Sequence, residues 1–321
     1  MIVEKFQIEQ SDEWDAFVKN SNTSLFLLTR KFLSYHGERF CDRSIMIKSD
    51  AGKLLAVLPA SENPNDKKEI VSHLGVTYGG FIVNSSFEIQ TYIDSVTAAL
   101  EYYFRNGYNV LKIKGIPVHL HRSESGIESW VLKHLDANLD RVDFWNIIDL
   151  ADIKYRERTK RQLKKGNKFT SKIELANYTS LCELYAIIEE NLNSRHQTKP
   201  VHSLEELKHL INIFPENIYP WVIKNNTNKT LGGIIIFDFG YKTAHAQYIA
   251  SSQEGRNFYC LTTLIDFLIS RYQKSNYRYL SLGASSEANG TRLNNGLVQF
   301  KSGFSSSSVT APHYSLRTRL M

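Results

Sequence analysis

Cysteine is scarce in this chain: Cys41, Cys182 and Cys260 lie far apart with no CxxC pair, a spacing that suggests neither a disulfide framework nor a structural zinc site. No apolar run reaches the roughly eighteen residues that a membrane span needs. The opening stretch MIVEKFQIEQSDEW lacks the basic start and apolar core of a secretion signal, so a cytoplasmic location is expected. Low-complexity segments are absent. Excess charge is also small, a formal +6 over 321 residues. It is unevenly spread, however. Between Lys154 and Lys172 nine basic residues face a single acid, Glu157, and a block of this kind is either the wet side of a helix or a surface for an anionic partner.

The length allows two ordinary domains or one large one. Periodicity predicts a short helix after Ser11 (Trp14, Phe17, Val18) and another after Thr29 (Phe32, Leu33). Strands at Ser44 to Lys48 and Leu54 to Ala60 flank the turn SDAGK, a hairpin signal. A long helix follows, with Ile89, Ile93, Val96, Leu100 and Phe104 at helical spacing and a stop at Asn106-Gly107, and then NVLKIKG alternates as a strand. About 170 residues later the order repeats: PWVIKNNTNKTLGGIIIFDFG as a hairpin, AHAQYIAS as a strand, a helix with Leu261, Leu264, Ile265, Leu268 and Tyr272 on one face, and RYLSLG. Helices are also expected at Ser180 to Asn191 and Ser203 to Phe214, the latter opening with the capping box SLEE. The expectation is an α+β protein of two like domains, 1–150 and 151–321, each a mixed, mostly antiparallel sheet packed with helices.

One stretch resists this pattern. VSHLGVTYGGF, residues 71 to 81, sets His73, Thr77 and Tyr78 among Gly75, Gly79 and Gly80, although glycine weakens a strand interior. Either the backbone turns sharply there or something comes close to it.

Strand, hairpin, strand, long helix and strand, present twice and joined by a basic segment, resembles the tandem acetyltransferase-like (GNAT) fold. The chain is similar in particular to the Fem-type aminoacyltransferases of peptidoglycan bridges and to related acetyltransferases of surface-polysaccharide clusters. The resemblance is carried by YHGERFCDRS (35 to 44), SHLGVTYGG (72 to 80), RTKRQLKK (158 to 165), YRYLSLGASSE (277 to 287) and GLVQFKSGF (296 to 304). It implies acyl transfer, in which a nucleophilic amine attacks an activated carbonyl and the enzyme supplies alignment and oxyanion stabilisation.

The resemblance also assigns roles. Lys301 of GLVQFKSGF, between Phe300 and Phe304, would lie near the transfer centre, with Glu287 of GASSEANG ordering a water or receiving the amine proton. His245 and Gln247, alternating on one face of AHAQYIAS, would border the acyl donor; a satisfied core histidine is the plainer reading of His245. Arg256 would meet a phosphate at the start of the long helix. If it opens the family pattern RxxGxG, Tyr259 and Leu261 stand where the two glycines belong, which obstructs the cradle for acyl-CoA and favours aminoacyl-tRNA as co-substrate. His73, Tyr78 and Gly79 would line the acceptor cleft, joined by Tyr35 and Arg39, with Tyr155, Arg158 and Arg161 holding a nucleotide-linked acceptor. His119 and His121 have no third ligand at metal spacing, and no metal is expected.

Three functions follow from this reading. The first is an N-acyltransferase acting on a nucleotide-linked amino sugar or an envelope or polysaccharide precursor. The second is a Fem-type enzyme using aminoacyl-tRNA. The third is a non-catalytic binding protein derived from the same fold.

Overall fold

The computed structural model describes residues 1–122, 126–169, 172–304 and 307–320, without the side chains of 195 and 196. Its strands are β1 (Ile2–Lys5), β2 (Ile45–Lys48), β3 (Leu54–Leu58), β4 (Ser61–Asn63), β5 (Asp66–Val71), β6 (Ile82–Val83), β7 (Val110–Lys114), β8 (Asn138–Asp149), β9 (Lys172–Leu175), β10 (Ile218–Lys224), β11 (Thr230–Asp238), β12 (Thr243–Ser251), β13 (Tyr279–Ala284), β14 (Ser286–Glu287), β15 (Arg292–Leu293) and β16 (Ser308–Arg317). The helices are α1 (Ser11–Asn20), α2 (Arg30–Leu33), α3 (Ile89–Arg105), α4 (Ile127–His134), α5 (Glu157–Gly166), α6 (Tyr178–His196), α7 (Leu204–Ile213), α8 (Gln253–Asn257), α9 (Cys260–Lys274) and α10 (Asn295–Lys301).

The chain forms two compact units: Met1–Phe144 with Ser286–Arg292 and Val309–Met321, and Trp145–Ser285 with Leu293–Ser308. This corrects the expected division at Leu150. The strand that ends the first repeat is divided, with Asn138 to Phe144 in the first unit and Trp145 to Asp149 in the second, and the strand that ends the second repeat lies in the first unit from Val309 on. The last strand of the first repeat, β8, supplies Trp145 to Asp149 as a partner for β13 in the second unit, and β16 at the chain's end pairs with β7 in the first.

In the first unit β1, β2, β3 and β6 form an antiparallel sheet, while β4, β5, β7 and β16 lie side by side in a second. The β2–β3 turn closes through Gly52 at φ +81°, with the Gly52 N–H donating to Ser49 O at 2.8 Å. Helix α3 buries Tyr92, Val96, Ala99, Leu100 and Tyr103 against Ile45, Ile47, Leu58, Leu111 and Ile113. The buried stripe is rotated from the expected one, leaving Ile89 and Phe104 at the surface, because the rings of Tyr92 and Tyr103 fill the space over the sheet.

In the second unit the strands run β8, β13, β12, β11, β10, β9. Every residue of β11 is buried, as expected for a central strand covered on both faces. Leu264, Ile265, Leu268 and Tyr272 of α9 cover Ile234 and Ile236 on one face. On the other, α6 comes so close that a Cβ on Gly233 would sit 2.8 Å from Leu184 Cδ2. Ser203 caps α7 by accepting from the Glu206 N–H, and Glu206 returns a bond to the Ser203 N–H, so the SLEE motif forms the expected capping box.

Candidate functional site

The second unit holds an opening in its sheet. Strands β12 and β13 are parallel and pair only at Thr243–Tyr279, Ala244–Leu280 and His245–Ser281; beyond that point β12 runs on to Ser251 without β13. The neighbouring ladder with β11 sets Ile235 opposite Tyr248 but Ile236 opposite Ala246, so Gln247 is the extra residue of a β-bulge. A bulge re-aims side chains and frees a backbone N–H from the ladder. It also breaks the alternation expected of His245 and Gln247: past the bulge it is Tyr248 that returns to the face of His245, and Gln247, Tyr248 and Ile249 are half-buried at the edge of the opening.

Lys301 is the buried charge-bearing group of this opening. It closes α10, whose first turn is capped by Asn294 accepting from the Leu297 N–H, and it is 5% exposed. Its Nζ donates to Gly283 O at 3.1 Å and Ala284 O at 2.6 Å, carbonyls at the end of β13 where Gly283 turns through φ +75°. The motif forms a helix, and the amine bonds to carbonyls while Phe300 and Phe304 pack into the core. Burial pulls the Lys301 amine down to about 7. With two protons spent on carbonyls, the protonated amine retains a third N–H for a ligand.

His245 takes the plainer of its two readings. It stacks between Trp145 and Phe239, at ring distances of 5.4 and 6.2 Å, and its Nδ1 lies 3.1 Å from Ser281 Oγ. Burial, and then the Lys301 charge, lower its pKa to about 3, so the ring is neutral. On the same face His202 Nδ1 meets Tyr248 Oη at 2.8 Å. Tyr248 and His202 were missed by sequence reasoning, since a bulge leaves no mark in an alternating strand pattern.

The expected phosphate cradle is occupied by the protein itself. The segment before α9 is helical in α8, and Tyr259 turns at φ +56° to start the next helix. The N–H groups of Arg256, Phe258 and Tyr259 donate to the carbonyls of Ser252, Glu254 and Arg256, and that of Gly255 to Ser252 Oγ. Gly255 serves internal packing, because a Cβ there would sit 2.7 Å from Cys260 Sγ. Arg256 is tied to Asn191 Oδ1 at 3.0 Å, Ser251 O at 2.8 Å and Gln253, so it staples α8 to its surroundings instead of pointing to a phosphate.

Helix α5 and the Lys301 motif are brought together. The Arg156 N–H donates to Gly303 O at 2.9 Å, and a Cβ on Gly303 would overlap Thr159. Tyr155, expected to stack on an acceptor, donates its hydroxyl to Asp266 Oδ1 at 2.6 Å and packs edge-on against Phe304 at 5.9 Å; it pins α5 to the core. Arg158, Arg161 and Lys165 are exposed. Glu287 lies in the first unit, where Arg292 pairs with its carboxylate at 2.9 Å.

In the first unit β5 and β7 are likewise parallel and pair only at Glu69–Val110, Ile70–Leu111 and Val71–Lys112. The glycine-rich stretch folds back over this end. Lys114 N donates to Ser72 Oγ at 2.8 Å, Gly79 N to Lys114 O at 2.7 Å, Ser72 Oγ to Gly79 O and Lys114 Nζ to Val76 O. The Gly79 N–H, expected to face an acceptor, is therefore spent, and Tyr78 is 2% exposed, with burial holding its hydroxyl well above the usual phenol range. The close approach that the glycines allow is internal: a Cβ on Gly75 would sit 2.6 Å from His36 Cε1, and one on Gly80 would overlap the Glu128 carboxyl. His73, at φ +43°, stacks on His36 at 5.6 Å, and burial lowers its pKa to about 3. Tyr35 lies on His36 at 3.9 Å and Arg39 is exposed.

Among the described residues no group of three His, Cys, Asp or Glu could hold a metal, and no helix is long and apolar enough to cross a membrane. The parting of β12 and β13, the bulge on β12 and the long helix between the two strands, repeated in outline by β5, α3 and β7, define a tandem GNAT fold. Solved structures with this fold include FemX, 13% identical over 98% of this chain and 97% of that chain at a TM-score of 0.68. L-PGS from Bacillus licheniformis is 12% identical over 98% and 93%, at 0.61. A tandem GNAT protein from the clavulanic acid biosynthesis pathway is 8% identical over 99% of both chains, at 0.53. No family model and no curated protein matches the sequence.

Proposed function

We propose that this protein is an N-acyltransferase whose second unit presents an activated acyl group in the opening between β12 and β13 to an amine of a nucleotide-linked sugar or an envelope precursor. The observation that carries this reading is the buried Lys301 amine at the parted end of β13, close to the bulge that frees backbone at Gln247. The acceptor nitrogen attacks the carbonyl carbon, the C–N bond forms, and the oxygen gains negative charge. The third N–H of protonated Lys301 and the backbone at the bulge stabilise that oxyanion. The carbonyl then re-forms as the acyl C–O bond to tRNA, or the C–S bond to coenzyme A, breaks, and the proton lost by the nitrogen goes to the departing oxygen or sulfur. His245 is a positioning residue that holds β12 against Ser281 of β13. The exposed guanidinium groups of Arg158 and Arg161 suit the diphosphate of the acceptor.

One observation favours aminoacyl-tRNA over acyl-CoA as donor: at the α8–α9 junction the N–H groups of Gly255, Arg256, Phe258 and Tyr259 are spent internally. Melting-temperature shifts with acetyl-CoA, aminoacyl-tRNA and a panel of nucleotide amino sugars test both halves of the reading. A ligand at about a hundred times its Kd adds about 2.7 kcal/mol. A shift with acetyl-CoA alone overturns the donor assignment. Absence of transfer with every donor and acceptor pair, alongside binding of an acceptor, supports a non-catalytic binding protein.

A further inference from the structure

The first unit contains a cavity unrelated to its closed strand ends. It measures about 20 Å³ and is lined by Asn22, Phe81, Phe87, Tyr92, His121 and Glu128 among others, room for about one water-sized group. Phe87, His121 and Ile127 are half-buried at its wall, so it can be reached from solvent. Glu128 comes from the first turn of α4 and brings its half-buried carboxyl to the wall, where Tyr92 donates to Oε1 at 3.4 Å and the Ile116 N–H supplies a second bond. Only glycine at position 80 leaves space for that carboxyl. Among the described residues no arginine or lysine acts on it. An acid drawn out of water without a cation is costly unless something else compensates it.

We propose that this cavity binds a primary ammonium group, whose charge pairs with the Glu128 carboxylate inside a wall of aromatic rings. Rings of Phe81, Phe87 and Tyr92 favour a cation over a neutral guest, and the volume admits an –NH3⁺ head but excludes a trimethylated one. Burial raises the Glu128 carboxyl to about 7, against the bonds from Ile116 and Tyr92. The other titratable wall groups are Tyr92, raised by burial, and His121, lowered by burial and hence neutral at pH 7. An arriving ammonium therefore displaces a proton from Glu128 at neutral pH.

This inference does not depend on the acyl-transfer reading, and its test uses neither donor nor acceptor. The full chain is melted with increasing ethylammonium chloride, sodium chloride or tetramethylammonium chloride at matched ionic strength. A saturable rise in Tm is expected for ethylammonium alone, and Glu128→Gln should abolish it. Titration calorimetry of the unaltered chain at pH 7, in two buffers of different ionisation enthalpy, should read a net release of protons on ethylammonium binding. An equal shift with tetramethylammonium, a shift retained in Glu128→Gln, or no ethylammonium response overturns the proposal and leaves an ordinary water pocket. Should Glu128→Gln not fold, the contrast between ethylammonium and tetramethylammonium on the unaltered chain decides: equal shifts overturn the proposal.

Discussion

In the first unit β5 and β7 pair as far as Val71 and Lys112 and then part; in the second, β12 and β13 pair as far as His245 and Ser281 and then part. The two openings are treated in opposite ways. In the first, residues 72 to 79 fold into the end of the sheet, and Lys114 bonds to Val76 O of the same segment. In the second, β12 continues through a bulge, and Lys301 spends only part of its bonding capacity on β13. Burial lowers both amines to about 7. The same buried chemistry therefore fastens a plug in one unit and stands at an opening in the other, which teaches that a duplicated fold does not duplicate a site.

The comparison breaks most sharply at Lys301. Lys301→Ala should lower the transfer rate by about 10²–10³-fold, the size of a lost oxyanion donor, whereas Lys114→Ala should leave the rate within about threefold, a difference far below one oxyanion donor. Steady-state rates on both purified variants check this, and equal losses would erase the distinction between the openings. Next in size, Gly75→Ala should destabilise the chain by about 1–3 kcal/mol through overlap with the His36 ring. Urea unfolding measures it, and an unchanged midpoint would show that the plug is not packed as described.

A pH effect sharpens the comparison further. The folded-state pKa of Lys301 lies below the unfolded value of 10.5, so between about 7 and 10.5 the unfolded chain holds more protons and stability rises with pH across that window. Each lysine contributes up to roughly 1 kcal/mol per pH unit there. Lys301→Met and Lys114→Met should each flatten the slope of unfolding free energy against pH, and a slope untouched by either variant would deny that burial. Smallest of all, Tyr248→Phe should cost about 0.5–1.5 kcal/mol by removing the hydrogen bond between its hydroxyl and His202 Nδ1. Thermal melts report the loss, and none is expected for Arg161→Ala on the exposed face of α5.

Much of the fold was legible in the residues. The hairpin turn at Gly52, the SLEE capping box and the helices α3 and α9 all follow from local signals, because caps, turns and amphipathic spacing act over a few residues. The site was less so. Lys301 was marked only by its motif, and its carbonyl partners lie 17 and 18 residues away in the chain. Tyr155 and Arg256, which looked like ligand groups, are fastened to Asp266 and Asn191 across 111 and 65 residues. Such partners are invisible to periodicity.

By itself the sequence determined the hairpin at Gly52, the long helices α3 and α9, the cap of α7, and that this order occurs twice, since these depend on spacing and on neighbours along the chain. Only the tertiary structure decided that β8 is divided between the two units, that Gln247 is squeezed out of its ladder, and that the glycines near Tyr78 make room for His36 and Glu128. Those outcomes rest on contacts between residues remote in sequence, where packing and hydrogen-bond satisfaction outweigh local preference.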